Sequence, residues 1–437
     1  MEIDNNFLEE MNRDELVPMV HQNPILNKIT NYYNYEDNQA GKLILPCGYG
    51  KMYISLFYLK QSNWNDVVII VPSLILLEQY IDIAKKILTD WTIVNFDSNT
   101  KIVPNVNKRL IITTYNSAHL VPSNPNFVVY DEAHHTCVVS HDENSLFRNT
   151  LNLFKNAYKL FMTATEKIIS YNDDDQIKVV HSMDNEIYGD YIEKKDFDEA
   201  IEERIISDYN IVIPEEDTDP LNIIVSAFNE LPIHHLLVYS NTCEKSKDIH
   251  KKLKQNNIHS FYLDGDVSKT ERNRILKEFQ YSTYGVLCSV RVLQEGISMP
   301  IVDSCYFSEK RTSEIDITQM IGRTLRFYPG KDLATVILPG LMADNKQFLS
   351  TIVRFDKRLN DTSKIKISSI TGNGIKNYNK SSTIKKKYEE CLKFIKFLNL
   401  GRCGMWDYKY NLCLKYEISN PNKNIARRLI FNDIKIG

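Results

Sequence analysis

Short β-branched apolar runs recur along this chain, separated by stretches in which apolar residues return every three or four positions. Leu43 to Leu45, Val67 to Val71, Arg109 to Thr113, Phe127 to Tyr130 and Lys159 to Met162 have the makeup of buried strands, and Ile75 to Leu88 has helical spacing. That alternation predicts a parallel sheet covered by helices on both faces. The pattern begins again with His235 to Tyr239, Ser260 to Leu263, Gly285 to Ser289, Asp303 to Phe307 and Ala334 to Leu338, so a second α/β domain is expected. Between the two, Tyr209 to Ile213 reads as a strand, and the acidic turn Pro214-Glu215-Glu216-Asp217-Thr218-Asp219-Pro220 cannot continue as a helix. The boundary falls near 200–206, giving a first domain over 1–203 and a second over 204–370. Over 363–388 Ser, Asn, Gly and Lys dominate and periodicity fades, so a linker is expected there, leading into a small, mostly helical segment over 371–437.

Composition narrows the class. A chain of 437 residues fits two or three domains, and 43% hydrophobic with 25% charged residues fits a soluble globular protein. The eight cysteines, at 47, 137, 243, 288, 305, 391, 403 and 413, form no CxxC pair, which points away from disulfide and zinc frameworks and toward a reducing, intracellular compartment. No apolar stretch reaches the roughly 20 residues that span a bilayer, and Met1 to Glu10 resembles no signal peptide, so no membrane partner is expected. The net charge of -3 hides an asymmetry: residues 371–437 hold 14 Lys/Arg against 5 Asp/Glu, a net of +9, which leaves the preceding residues at -12. Trp406, Tyr408, Tyr410 and Tyr416 lie among those cations. Cations attract phosphates and aromatic rings stack on bases, so nucleic acid is the expected partner.

Three segments carry candidate chemistry. Leu45-Pro46-Cys47-Gly48-Tyr49-Gly50-Lys51 follows a strand and opens a helix, a geometry in which backbone N–H groups point at phosphates and Lys51 reaches the β and γ oxygens of a nucleotide. Gly48 and Gly50 keep side chains out of the tight turn. Met52 stands where the Gly-Lys-Ser/Thr pattern places a magnesium-binding hydroxyl, and a thioether is a poor ligand for that hard ion. Asp131-Glu132-Ala133-His134 closes the strand Phe127 to Tyr130 at the end where open α/β sheets bind ligands. Asp131 is the candidate magnesium carboxylate and Glu132 the candidate general base. Gln319-Met320-Ile321-Gly322-Arg323-Thr324-Leu325-Arg326 matches QxxGRxxR; on a helix Gln319, Arg323 and Arg326 share nearly one face, and the planar arginine forks suit phosphate oxygens.

In their order these segments resemble the superfamily 2 helicases and translocases, in particular the DEAH-containing group of restriction-enzyme motors and excision-repair translocases, over residues 16–358. Further segments fit the same order: Val71-Pro72-Ser73-Leu74 with Gln79, Thr113-Thr114-Tyr115, Thr163-Ala164-Thr165, and Val286 to Pro300 with Gln294-Glu295-Gly296-Ile297-Ser298. The resemblance implies two tandem RecA-like domains with an ATP cleft between them, using ATP and Mg2+. It implies that Gln22, Pro46, Cys47, Gly48, Tyr49, Gly50, Lys51 and Met52 line the nucleotide, with Gln22 reading adenine. Lys51, Asp131, Glu132, Gln319, Arg323 and Arg326 are the implied catalytic set. His134, Thr163, Thr165, Glu295 and Gly296 would couple hydrolysis to movement, with His134 facing Gln319 across the cleft. Pro72, Ser73 and Thr114 would touch the nucleic-acid backbone.

The resemblance implies ATP-driven movement along nucleic acid, DNA rather than RNA, within a replication, transcription or repair complex. The alternative that Met52 raises is a non-hydrolysing scaffold that binds nucleotide and nucleic acid. Ser298 and Met19 also depart from the family pattern, at positions where it often has Asp and Arg. In the tail, Met405-Trp406-Asp407 with Leu412, Leu414, Tyr416 and Pro421 resembles the opening of a helicase-associated repeat, and the sequence stops where such a repeat normally continues. Richness in Asn, Ile, Lys and Tyr suggests an AT-rich genome such as that of a large DNA virus, with a virion or infected cytoplasm as the setting.

Overall fold

The computed structural model describes residues 16–96, 104–137, 146–166, 185–214, 219–290, 299–339 and 346–358, except 312, 332 and 357. It also describes residue 183 and short strand segments at 170–171, 177–178, 367–371, 374–377, 430–431 and 434–435.

Two sheets build two lobes. The first contains β1 (Ala40–Ile44), β2 (Asp66–Val71), β3 (Thr92–Phe96), β4 (Arg109–Thr114), β5 (Phe127–Asp131) and β6 (Tyr158–Thr163). After a small antiparallel pair, β7 (Ser170–Tyr171) and β8 (Ile177–Lys178), β9 (Asp190–Lys194) completes it. The strand order is β3-β4-β2-β5-β6-β1-β9, and every pairing in it is parallel. The second lobe holds β10 (Asp208–Pro214), β11 (His235–Tyr239), β12 (Ser260–Leu263), β13 (Gly285–Ser289), β14 (Ser304–Phe307), β15 (Leu333–Ile337), β16 (Ile367–Thr371) and β17 (Gly374–Asn377). Its order is β12-β13-β11-β14-β15-β10-β16-β17, antiparallel between β16 and β17 and parallel elsewhere. These are the two parallel-sheet, RecA-like domains that the alternation predicts.

Central strands are continuous apolar runs because helices cover both faces. On β2, Val67, Ile69 and Val71 pack with the helices Asn23–Tyr33, Lys51–Gln61 and Leu74–Ile87, and Val68 and Ile70 enter the opposite cluster. The first of these clusters continues across the junction, where Phe197, Ala200, Ile201 and Ile206 join Met320, Ile321 and Leu325. The rings of Phe197 and Phe355 meet there at 4.7 Å. Arg204 takes a left-handed φ of 56° between the helix Phe197–Glu202 and β10.

The structure adds strands that the sequence reading does not name. β3 and β9 lie at sheet edges, where half of each strand faces water, so Thr92-Ile93-Val94-Asn95-Phe96 and Asp190-Tyr191-Ile192-Glu193-Lys194 lack a sustained apolar run. The expected linker carries the β16–β17 hairpin, which extends the second sheet past residue 370. The expected helical tail falls almost wholly outside the described residues, whose only tail elements are β18 (Ile430–Phe431) and β19 (Ile434–Lys435), paired antiparallel.

Gly189 sets the entry to β9. Its φ is 72°, and a Cβ there would lie 1.7 Å from the Ala40 carbonyl oxygen. Gly189→Ala is therefore expected to destabilise the first lobe by about 2 kcal/mol or more. Urea unfolding measures this, and an unchanged midpoint refutes it.

Candidate nucleotide site

The loop after β1 is held in a turn by two glycines, Gly48 at φ 94° and Gly50 at φ 89°, conformations that residues with a Cβ rarely adopt. Gly50 caps the helix Lys51–Gln61, so the first free N–H groups of that helix face the loop. Lys51 is buried and its Nζ donates to the Leu45 carbonyl at 2.9 Å. The ammonium thus lies back across the loop it belongs to. Met52 is half-buried against the larger apolar cluster. One turn later, the Ser55 hydroxyl donates to the Met52 carbonyl at 2.8 Å, so its proton is already engaged in the helix.

A short segment before the first helix braces the loop from outside. His21 Nε2 lies 3.3 Å from the Tyr49 carbonyl oxygen, and the two rings meet edge-on. Gln22 is buried, its Oε1 accepts from the Met19 N–H at 3.0 Å, and a Cβ on Gly50 would come within 2.4 Å of its Nε2. Tyr49 donates to Glu203 at 3.2 Å, and Glu203 also takes the Lys195 ammonium at 2.6 Å. Glu203 escapes sequence reasoning because one acid in a charged run carries no motif.

The acidic segment sits at the carboxyl end of β5. Asp131 is buried, its backbone carbonyl accepts from the Tyr115 hydroxyl at 2.9 Å and its Oδ1 accepts from the Glu132 N–H at 3.0 Å. Burial first, then the neighbouring Glu132 carboxylate, pushes the Asp131 carboxyl up to about 7 against the pull of Lys51. Burial alone would raise Glu132 too, but His134, Lys51 and His135 outweigh it and hold that carboxyl down. Glu132 is also strained, with φ 48° and ψ 49°, the left-handed region that a residue carrying a Cβ uncommonly enters. His134 Nδ1 lies 2.8 Å from the Thr163 hydroxyl and 3.4 Å from Glu132 Oε2. Thr163 in turn donates to the Thr165 carbonyl at 3.1 Å. His134, Thr163 and Thr165 therefore form one chain of contacts inside the first lobe.

The second lobe brings its arginines to the same loop. Ser313 caps the helix Glu314–Thr324, accepting from the Asp316 N–H at 3.3 Å; Gln319 is buried on this helix and Arg323 lies in its last turn. A Cβ on Gly322 would approach the Cys47 Cβ to 2.5 Å, so helix and loop are in direct backbone-scale contact. Burial raises the Cys47 thiol, and the charges of Lys51, Glu132, Arg323 and Arg326 all act on it. Arg326 is pushed down to about 10 by burial and by the repulsion of Arg323. Two desolvated guanidinium groups side by side form a site that favours an anion.

The hinge completes this arrangement. Ile206 pairs with Arg326 in an antiparallel bridge, the Ser207 N–H donates to the Leu325 carbonyl at 2.8 Å, and a Cβ on Gly48 would meet Ile206 Cγ2 at 3.1 Å. An isoleucine between domains gives no sequence signal for such a role.

Pro72, Ser73 and Thr114 lie at the carboxyl ends of β2 and β4, on the same edge of the sheet as Asp131. Ser73 caps the helix Leu74–Ile87 by accepting from the Leu76 N–H at 3.4 Å, and Thr114 donates to Ser117 at 3.4 Å. Glu295, Gly296 and Trp406 lie outside the described residues.

Among the described residues no cluster of three or more His, Cys, Asp or Glu is placed to hold a metal. The oxygen donors at the loop are the carboxylates of Asp131 and Glu132, which suit a hard cation completed by phosphate and water better than an all-protein cage.

Comparisons with known proteins bear on the family and the fold. Residues 15–168 match the family described as type III restriction enzyme, res subunit, and residues 219–328 match the helicase conserved C-terminal domain. The chain is 25% identical over 347 residues to a protein of African swine fever virus described as a probable helicase, covering 70% of this chain and 39% of that protein. It is also 25% identical over 210 residues to UvrABC system protein B of Acinetobacter baylyi, covering 46% of this chain and 29% of the relative. The chain thus spans well under half the length of these relatives. In fold it is similar to the ATP-dependent type ISP restriction-modification enzyme LlaBIII bound to DNA, with a TM-score of 0.71 at 18% identity, covering 97% of this chain and 37% of that one.

Two outcomes follow from the packing and charge of the site. Gly322→Ala should destabilise the protein, and adding Cys47→Gly should restore part of the loss, with a coupling of about 0.5 to 3 kcal/mol in a double-mutant cycle; additive effects would show that the two residues do not touch. Asp131 has a folded-state pKa above its unfolded value, so it binds its proton more tightly when folded and subtracts stability as pH rises toward about 7. Asp131→Asn is expected to raise the denaturation midpoint of the nucleotide-free protein, more above neutral pH than at about pH 5. A gain that is equal at both pH values contradicts this.

Proposed function

Because the chain is a superfamily 2 helicase/translocase related to restriction-enzyme motors and excision-repair helicases, we propose that it hydrolyses ATP to move along a nucleic acid, with DNA as the track. The observation that carries this reading is that the arginine-bearing helix of the second lobe meets the glycine loop of the first, where a Cβ on Gly322 would approach the Cys47 Cβ to 2.5 Å and a Cβ on Gly48 would lie 3.4 Å from Arg326 Cγ. Half of a catalytic set on each lobe makes hydrolysis depend on closure. In the closed state Lys51 leaves the Leu45 carbonyl for the β and γ oxygens, and the arginines meet the charge that develops on the transferred group. An arginine supplied in this way is worth about 10³ to 10⁵ in rate. Glu132 orients and polarises the attacking water, held in place by its strained backbone and by His134.

The contacts from His134 to Thr163 and Thr165 link the acidic loop to the end of β6, so a change at the γ-phosphate is transmitted along the edge where Pro72, Ser73 and Thr114 face the track. Contacts of this kind go to the phosphate backbone and give little sequence preference and a steep salt dependence. DNA is chosen as the track because LlaBIII, a neighbour at a TM-score of 0.71, is bound to DNA, while Dbp5, bound to RNA, matches at 0.55. Magnesium would neutralise phosphate charge here; Asp131 would hold it, and Met52 offers it no oxygen. A second reading rests on Met52 itself: a chain that binds nucleotide without turning it over and serves as a scaffold.

Stimulated ATPase assays over single- and double-stranded DNA and RNA separate the readings. The wild type is expected to hydrolyse ATP faster with DNA, Lys51→Ala and Arg323→Ala to lose about a thousandfold, and Met52→Thr to gain through tighter magnesium binding. A silent wild type with an active Met52→Thr variant selects the scaffold.

A further inference from the structure

Lys331 lies outside every motif described above, and its surroundings are built around it. Tyr328-Pro329-Gly330-Lys331 forms a tight turn in which the Lys331 N–H donates to the Tyr328 carbonyl at 3.0 Å, with Pro329 second and Gly330 third at φ 82°, the pattern of a type II turn. The turn sends the buried lysine side chain back beneath the end of the arginine helix. There its ammonium donates to three carbonyls, of Pro300, Val302 and Thr324, each at 3.0 Å. An ammonium has three donors, so all of them are used. The Lys331 carbonyl in turn accepts from the Ser207 hydroxyl at 3.4 Å.

We propose that Lys331 is a positioning residue that staples three segments together: the end of the loop after β13, the end of the Arg323-bearing helix, and the interlobe hinge. Thr324 lies between Arg323 and Arg326, and Ser207 follows the residue that pairs with Arg326, so the staple sets where both arginines stand against the phosphate loop. This proposal rests on the ATPase reading and adds to it a residue that acts through the arginines. Placing a charge here is costly. Burial pushes the Lys331 ammonium down to about 8, opposed by Asp303 at the start of β14 and reinforced by Arg326. Three carbonyls left without a donor would cost more than any one hydrogen bond returns.

The sign of the pH dependence separates positioning from packing. The folded-state pKa lies below the unfolded value, so from about pH 8 upward the folded protein releases the proton first and this group adds stability as pH rises. Loss of the proton removes one donor, so the staple loosens and turnover falls over the same range. Stability and rate therefore move in opposite directions.

The test combines amide exchange with kinetics on the wild type and Lys331→Gln. Lys331→Gln is expected to raise exchange at 205–208 and 321–327, to lower kcat by about a hundredfold with KM for ATP nearly unchanged, and to lose the alkaline fall in kcat. Unchanged exchange overturns the staple, and raised exchange with wild-type kcat and pH profile overturns its positioning role. If Lys331→Gln fails to fold, the wild type alone decides: between about pH 7 and 9 the protection factors at 321–327, from which the intrinsic base-catalysed rise in exchange is divided out, must fall and kcat must fall with them, and a flat response in either refutes the proposal. A wild type without hydrolysis defeats the ATPase reading and the catalytic part of this proposal together, and the exchange arm still tells whether the staple exists.

Discussion

Everything at the candidate site depends on how closely the Arg323-bearing helix can approach the phosphate loop, and one missing Cβ sets that distance. At Gly322 the helix presents bare backbone to Cys47, where any side chain would collide with the Cys47 Cβ. The loop needs glycine for a different reason, since Gly48 and Gly50 both take left-handed backbone. Two requirements of different origin thus meet at one interface, close packing from one lobe and a tight turn from the other. The apolar seam through Phe197, Ile206, Met320 and Leu325 carries that approach into the hinge.

Charge is arranged against stability at the same place. Asp131 and Glu132 are adjacent carboxyls with little access to water, and Arg323 and Arg326 are adjacent guanidinium groups in a desolvated crevice. Each pair repels itself, and the two lie on opposite sides of the cleft. A fold selected for stability alone would separate them or replace them with apolar residues. Under the proposed reading, a polyanion and a cation entering together would relieve these terms, so that binding energy would favour closure. The strained backbone of Glu132 belongs to the same pattern, with local cost held at the point where chemistry is expected.

The central strands were legible because burial on both faces leaves a plain apolar run, as in Val67 to Val71. The phosphate loop, the acidic pair and the arginine helix were legible because their chemistry fixes residue types at fixed spacing. Edge strands were not, since Asp190 to Lys194 buries only Ile192 fully and its alternation is too short to stand out. The hairpin after residue 366 was hidden for a related reason: Ser, Asn and Lys can fill a pleated edge without an apolar signal. Ile206, Glu203 and Lys331 were out of reach altogether, because each works through backbone groups or side-chain partners brought near by the fold.

Met52 bears on the metal more than on the cradle. Turn, helix start and lysine are formed without it: Gly48 and Gly50 hold the loop, Lys51 reaches across it, and the methionine side chain packs into the apolar cluster. Its loss of a hydroxyl is not made up by Ser55, which lies one turn further along the helix and is fully buried. The cradle's geometry is therefore complete without that hydroxyl, and its absence would bear only on a magnesium ion held there, an ion that ordinarily keeps several waters and can accept one more. The missing group weakens one ligand of one ion, and the rest of the site, split between two lobes that meet at Gly322, remains in place.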